Sequence, residues 1–286
     1  MEVGTDMTIL NKWVEVKGLR IHYLEAGAGS TVFLLHGGGI DSASLSWKFT
    51  IEPLAHYLHV FAPDWPGYGE SDKPAIQYTT DYYIGFLGDF MQTLGIVDAS
   101  LVGISMGGGI ALGFTLQFPQ RVSRLVLVDS YGLQMFTPAH KLSYLFTRIP
   151  LLNEVTWDLL MRSRTMMRVF LRVIFHDPNA VSDELVDEVH VELKKAGAAR
   201  AFISFQKSEI MWNGLRTVYV SRLHEIKART LIVHGEKDRL VPFDCAQHAR
   251  DLIVDSRLRV ITNCGHWPQR EKPDEINRVL MEFLIG

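Results

Sequence analysis

The chain has 286 residues, 47% of them hydrophobic and 21% charged, a balance that allows one large apolar core. Its formal net charge of −3 gives no reason to expect nucleic acid or an anionic membrane as a partner. Two cysteines (Cys245 and Cys264) are too few for a disulfide framework, no run reaches the roughly 18 apolar residues of a membrane span, and MEVGTDMTILNKWVEV lacks a signal-peptide pattern, so a soluble cytoplasmic protein is expected.

Short β-rich runs alternate with helical patterns, which predicts an α/β fold with a mostly parallel sheet covered on both faces. WVEVKGLRIHYLEAG reads as an antiparallel hairpin turning at Lys17–Leu19. TVFLLHG and HVFAPD read as buried strands, and YYIGFLGDFMQTLG as a helix capped by Gly95. ASLVGIS is a third buried strand, followed by the helix MGGGIALGFTLQFP, which stops before Pro119. VSRLVLVDS, RTLIVHGEKD and LRVITNCGH supply three more buried strands, and DEINRVLMEFLIG closes the chain as an amphipathic helix.

From about Gln134 to Arg222 this rhythm breaks. The stretch is rich in Met, Phe, Leu and Arg, and its clearest helical pattern is LVDEVHVELKKAGAARAFISFQKSE. The expected organisation is an α/β core of residues 1–133 and 223–286 carrying a helical cap insertion, 134–222. Such an insertion would sit over the C-terminal strand ends, where open α/β sheets bind ligands.

Within LVGISMGGGIAL, Ser105 is flanked two residues on either side by Gly103 and Gly107. That spacing suits a nucleophile on a tight strand-to-helix corner. Serine needs a base within reach and a group to orient that base. Asp238 in HGEKDRLVP and His266 in NCGHWPQREKP each follow a buried strand, and the order Ser, Asp, His fits such a corner. Asp129 is a second strand-end carboxylate and an alternative third member. His36, Gly37, Gly38 and Gly39 follow an early strand, and their backbone N–H groups can approach an oxyanion. The N–H groups of Gly38 and Met106 are the expected pair. No P-loop lysine follows the glycines, the histidines show no metal-ligand spacing, and neither a cofactor nor a metal is expected. His36 and Asp64 are expected to brace their loops, and Cys264 to be a small packed residue.

The chain resembles the α/β-hydrolase superfamily over nearly its whole length. The matching segments are the His-Gly strand end at His36, PDWPGYGESDKP, GISMGG, GEKDRLVP and GHWPQREKP, in that order. The resemblance implies Ser105 as nucleophile, His266 as general acid/base and Asp238 as the residue orienting it. Serine at 105 also argues against the aspartate-dependent dehalogenases and epoxide hydrolases of this fold.

Within the superfamily the chain is similar to carbon–carbon bond hydrolases of aromatic ring cleavage and to their carboxylesterase relatives. Trp267 after the histidine is typical of the first group. Four positions depart from it: Ile40 and Asp41 replace a proline-glycine pair, Ile104 an asparagine, and Val189 an arginine for the substrate carboxylate. Arg162, Arg164, Arg168, Arg172 or Arg200 could supply that charge instead. On these departures the expected function is a carboxylesterase for small to medium acyl esters, with hydrolysis of 2-hydroxy-6-oxo-dienoates as the alternative. A small-molecule ester or ketone is the expected partner, and a homo-oligomer is possible. Expected substrate contacts are Ile104, Leu133, Met135, Phe136 and Trp267.

Overall fold

The computed structural model describes residues 8–286; the first seven residues assigned to the core lie outside this range. Six strands precede the break in rhythm: β1 (Leu10–Val16), β2 (Leu19–Ala26), β3 (Thr31–Leu35), β4 (His59–Pro63), β5 (Ala99–Ile104) and β6 (Val122–Val128). The short helices α1 (Ala43–Ser46) and α2 (Ile51–Ala55) follow β3. The longer α3 (Thr80–Thr93) and α4 (Met106–Gln117) flank β5.

After β6 the chain leaves the sheet and builds α5 (His140–Arg148), α6 (Pro150–Arg162), α7 (Arg164–Ile174), α8 (Asp183–Lys194) and α9 (Ala198–Glu209). A ribbon of β7 (Ile210–Met211) and β8 (Gly214–Leu215) follows; no strand was expected in this stretch. The helical pattern over 185–209 also divides in two, because Gly197 takes φ +80° and ends the run between α8 and α9. The chain then returns through β9 (Arg229–Gly235), α10 (Phe243–Leu252), β10 (Ser256–Ile261), α11 (Pro268–Glu271) and α12 (Pro273–Ile285).

The main sheet has eight strands in the order β1-β2-β4-β3-β5-β6-β9-β10. The first hairpin is antiparallel and β2 runs antiparallel to β4, whereas β4, β3, β5, β6, β9 and β10 are mutually parallel. The hairpin turns on Lys17 and Gly18, both at positive φ (+52° and +78°), which matches strand twist in a two-residue loop.

Both faces of the central strands are apolar, as a doubly covered parallel sheet requires. Val32, Leu34, Val102, Ile104, Val126 and Val128 enter one core with α2 and α12. Their neighbours Phe33, Leu35, Leu101, Leu125 and Leu127 enter the other with α3 and α4. Strand alternation thus serves two cores at once. It also brings the C-terminal ends of β3, β5, β6 and β9 side by side. No helix among the described residues is long and apolar enough to cross a membrane.

Candidate active site

Ser105 is the single residue between β5 and α4, at φ +51° and ψ −119°, a region costly for any residue with a Cβ. Its N–H donates to the Val128 carbonyl at 3.0 Å, and its own carbonyl accepts from Gly109 and Tyr131, each at 3.0 Å. A Cβ on Gly103 would lie 2.3 Å from the Gly107 carbonyl oxygen, and one on Gly107 would lie 2.3 Å from that of Leu35. Backbone meets backbone at both contacts, so neither can yield. The G-x-S-x-G spacing follows from how closely β3, β5 and α4 approach.

The loop after β9 carries Asp238. Its Oδ1 accepts from the N–H groups of Leu240 (2.7 Å) and Val241 (3.1 Å), and its Oδ2 lies 2.7 Å from His266 Nδ1. Burial would raise this carboxyl, but the charge and hydrogen bond of His266 outweigh burial and hold it below the ordinary value. His266 and Ser105 line the same cavity, with no hydrogen bond between their side chains. The backbone N–H of His266 donates to the carbonyl of Ile174, and that of Gly265 to Glu271, both at 2.8 Å. Glu271 also receives the N–H groups of His176 and Asp177, tying the base loop to the chain after α7. Its role was not anticipated, although it lies inside the GHWPQREKP motif.

Asp129 and His234 sit behind this pair, with ligand atoms of Asp129, His234 and Asp238 all within 4.8 Å of one another. His234 Nε2–H donates to the Val241 carbonyl at 3.0 Å, so its Nδ1 presents a lone pair to Asp129 Oδ1 at 3.3 Å. Burial and the Asp238 charge push Asp129 well above the carboxylate range. Asp129 Oδ1 accepts from Gly235 N–H at 2.8 Å, while Asp129 Oδ2 and His234 Nδ1 have no hydrogen-bond partner among the described residues. Asp238, not Asp129, is the carboxyl hydrogen-bonded to His266.

The glycine loop after β3 is braced from below. His36 Nδ1–H donates to the Gly37 carbonyl (2.8 Å), its Nε2 accepts from Trp65 N–H (3.1 Å), and burial lowers its pKa to about 4. His36 is therefore a neutral strut. Asp41, unforeseen as a site group, accepts from the N–H groups of Gly37 (2.9 Å) and Ser42 (2.8 Å), and burial pushes it up to about 8. Asp64 accepts from Ala43 N–H (2.7 Å), Glu70 N–H (2.8 Å) and His22 Nδ1 (2.8 Å), joining three segments. Among the described residues, the N–H groups of Gly38, Gly39 and Ile40 donate to no protein acceptor. The N–H of Met106, first in α4, has no intrahelical acceptor, and the Ser105 side chain does not cap it.

Ser105 and His266 open on a cavity of about 330 Å³ bounded by Gly37–Asp41, the loop after β6, α7 and α9. Ile104, Met106, Gly38 and Trp267 line it. Three of the expected contacts do not. Leu133 packs into the core at 3% exposure, while Met135 (62%) and Phe136 (50%) turn to solvent. The Met135 carbonyl is held by Leu215 N–H at 2.8 Å, which fixes this segment against β8. Gln134 and Thr137 line the cavity in their place. None of Arg162, Arg164, Arg168, Arg172 and Arg200 reaches the wall. Arg162 pairs with Asp158, Arg164 with Asp187, and Arg168 with Asp183. Ile104 and Val189 both face the cavity as apolar groups. Cys264 is buried, its Sγ lies 3.6 Å from Glu271, and burial raises its thiol far above the ordinary value.

Residues 31–273 match the model of the α/β hydrolase fold family. The chain belongs to this family. The hydrolase is 30% identical to the 2-hydroxy-6-oxo-6-(2'-aminophenyl)hexa-2,4-dienoic acid hydrolase of Metapseudomonas resinovorans, over 98% of this chain and 92% of that one. It is 34% identical to the 2-hydroxy-6-oxo-6-phenylhexa-2,4-dienoate hydrolase of Comamonas testosteroni, over 92% and 91% respectively. Its fold superposes on a meta-cleavage product hydrolase from Pseudomonas fluorescens IP01 with a TM-score of 0.82, at 29% identity, covering 96% of this chain and 97% of that one. These similarities overturn the expected carboxylesterase. The departures at Ile104 and Val189 suggested an ester pocket, but the relatives matched end to end are named for dienoates.

Proposed function

We propose that this hydrolase cleaves the carbon–carbon bond of 2-hydroxy-6-oxo-dienoates, the alternative raised by the sequence. End-to-end similarity to dienoate hydrolases supports the assignment, together with His266, 2.7 Å from Asp238, lining the same cavity as Ser105. In the overall reaction, water adds across the bond between C5 and the C6 carbonyl. The products are a carboxylic acid and 2-hydroxypenta-2,4-dienoate.

The expelled C5 must carry an electron pair, and it leaves well only when that pair delocalises into a carbonyl at C2. Moving the enol proton from the C2 hydroxyl to C5 creates that carbonyl before cleavage. Ser105 then adds to C6 while His266 takes its proton, and the N–H groups of Gly38 and Met106 receive the oxyanion. Collapse breaks C5–C6 and His266 returns the proton. Water, activated by the same histidine, frees the acid from Ser105. Asp238 holds His266 in the tautomer this needs.

Among the described residues the cavity wall carries no Lys or Arg, so the dienoate carboxylate must be met by neutral donors. With the Gly38 N–H given to the oxyanion, the free N–H groups of Gly39 and Ile40 supply them, close to the positive end of α4. Incubation with the 6-phenyl dienoate should release benzoate and 2-hydroxypenta-2,4-dienoate in equal amounts, resolved by chromatography. Intact substrate after many enzyme equivalents of exposure would refute the assignment.

A further inference from the structure

The cavity has two chemically distinct walls. Around Ile104, Val189 and Trp267 it is apolar, whereas Tyr131, Gln134, Gln206 and Glu209 form a polar wall where α9 passes the loop after β6. Glu209 is 1% exposed and fully engaged: it accepts from Thr80 N–H (2.9 Å), the Tyr131 hydroxyl (3.0 Å) and the Thr217 hydroxyl (2.6 Å). Three donors suit an ionised carboxylate, so this wall is negative.

Gln134 is not engaged. It is 7% exposed, and its Oε1 is buried with no hydrogen-bond partner among the described residues. Asp41 and Glu209, the carboxyl groups on the same cavity, both have donors. A buried amide acceptor stripped of water and left unpaired is a standing cost that a ligand's donor removes.

We propose that Gln134 reads the acyl side of the substrate, and that the preferred dienoates carry a neutral hydrogen-bond donor, an aryl amine or hydroxyl, on the C6 substituent. This rests on the dienoate reading of the site. The charge of Glu209 sets the orientation, because a dienoate carboxylate is repelled from that wall and the C6 substituent faces it instead. The same charge rejects a substituent that ends in its own carboxylate.

The test compares kcat/KM for the 6-phenyl dienoate, its ring-amino derivatives (amine at each position) and an analogue with a carboxylate on the C6 substituent. The best amino derivative should exceed the phenyl compound by at least fivefold, with the carboxylate analogue the poorest. In Gln134→Leu the amino-to-phenyl ratio should fall to about one. Gln134→Met, close in volume, repeats the test should the leucine variant fold poorly. Binding of acetophenone and its 3- and 4-amino derivatives, followed by tryptophan fluorescence, probes the same wall without turnover and should show the same preference. Equal kcat/KM for amino and phenyl substrates, or a ratio that survives both variants, overturns the role of Gln134. Selective ketone binding with no dienoate turned over would leave that role standing and overturn the reaction assignment instead.

Discussion

The backbone N–H of His266 donates to the carbonyl of Ile174 at 2.8 Å, so the proposed base hangs from the last residue of a helix inserted between β6 and β9. That carbonyl is one of the four a helix leaves unpaired at its C-terminus, and the base loop satisfies it. Glu271 fastens the same junction by accepting from Gly265, His176 and Asp177. Motion of α7 is therefore transmitted to the imidazole.

Gly265→Ala tests this junction. A Cβ there would lie 2.1 Å from the Ile174 carbonyl oxygen and 2.8 Å from His176 N, so the two segments must part. A displacement near 1 Å at a catalytic group costs about 100-fold. We expect kcat to fall on that order with a smaller change in KM, and the Tm to drop. Unchanged kcat would mean that the cap does not position the base.

Ser105 separates function from stability. Ser105→Ala should lower turnover on the order of a millionfold, as loss of a nucleophilic serine does elsewhere. Ser105→Gly should be equally inactive yet more stable, because glycine relieves about 1 kcal/mol of strain at φ +51°. Calorimetry should place its Tm roughly 2 °C above the parent. A lower Tm would show that the corner is unstrained.

The two carboxyls behind His266 should respond differently to the same change. Asp238→Asn should reduce kcat by about 10⁴-fold, since the imidazole loses the partner that sets its tautomer. Burial and the Asp238 charge favour the neutral form of Asp129, so Asp129→Asn should keep kcat/KM within a few-fold. Similar losses in both variants would return Asp129 to the role of orienting acid.

Asp41 predicts a pH dependence of stability. Burial lifts its folded-state pKa to about 8, above the unfolded value of about 3.9. A group that holds its proton more tightly when folded contributes fully below the unfolded pKa, and this contribution is lost as pH rises through the folded one. Unfolding free energies from denaturant titrations between pH 4 and 8 should therefore decline more steeply in the parent than in Asp41→Asn. Parallel curves would show that Asp41 is ionised throughout.

The sheet and the three proposed catalytic residues were legible because Ser105 directly follows the buried strand β5, and Asp238 and His266 lie in the short loops after β9 and β10. β10 is nevertheless a half-exposed edge strand rather than the buried one expected. Gly103 and Gly107 were legible for a related reason, since backbone contact forbids any other residue there. The cap wall was not. Gln134 faces the cavity while its apolar neighbours Met135 and Phe136 face water, and a loop without a period gives no means of ordering the three. The substrate class misled for a similar reason: loss of an arginine at Val189 removes one way of holding a carboxylate, whereas the unpaired N–H groups of Gly39 and Ile40 are visible only in three dimensions.

Side-by-side kinetics on the 6-phenyl dienoate and p-nitrophenyl benzoate, which present the same acyl group to Ser105, test the central claim most directly. Carbon–carbon hydrolysis through Ser105 predicts a kcat/KM for the dienoate at least tenfold above that for the ester, with both abolished in Ser105→Ala. A tenfold preference for the ester, or dienoate turnover that survives Ser105→Ala, would contradict it.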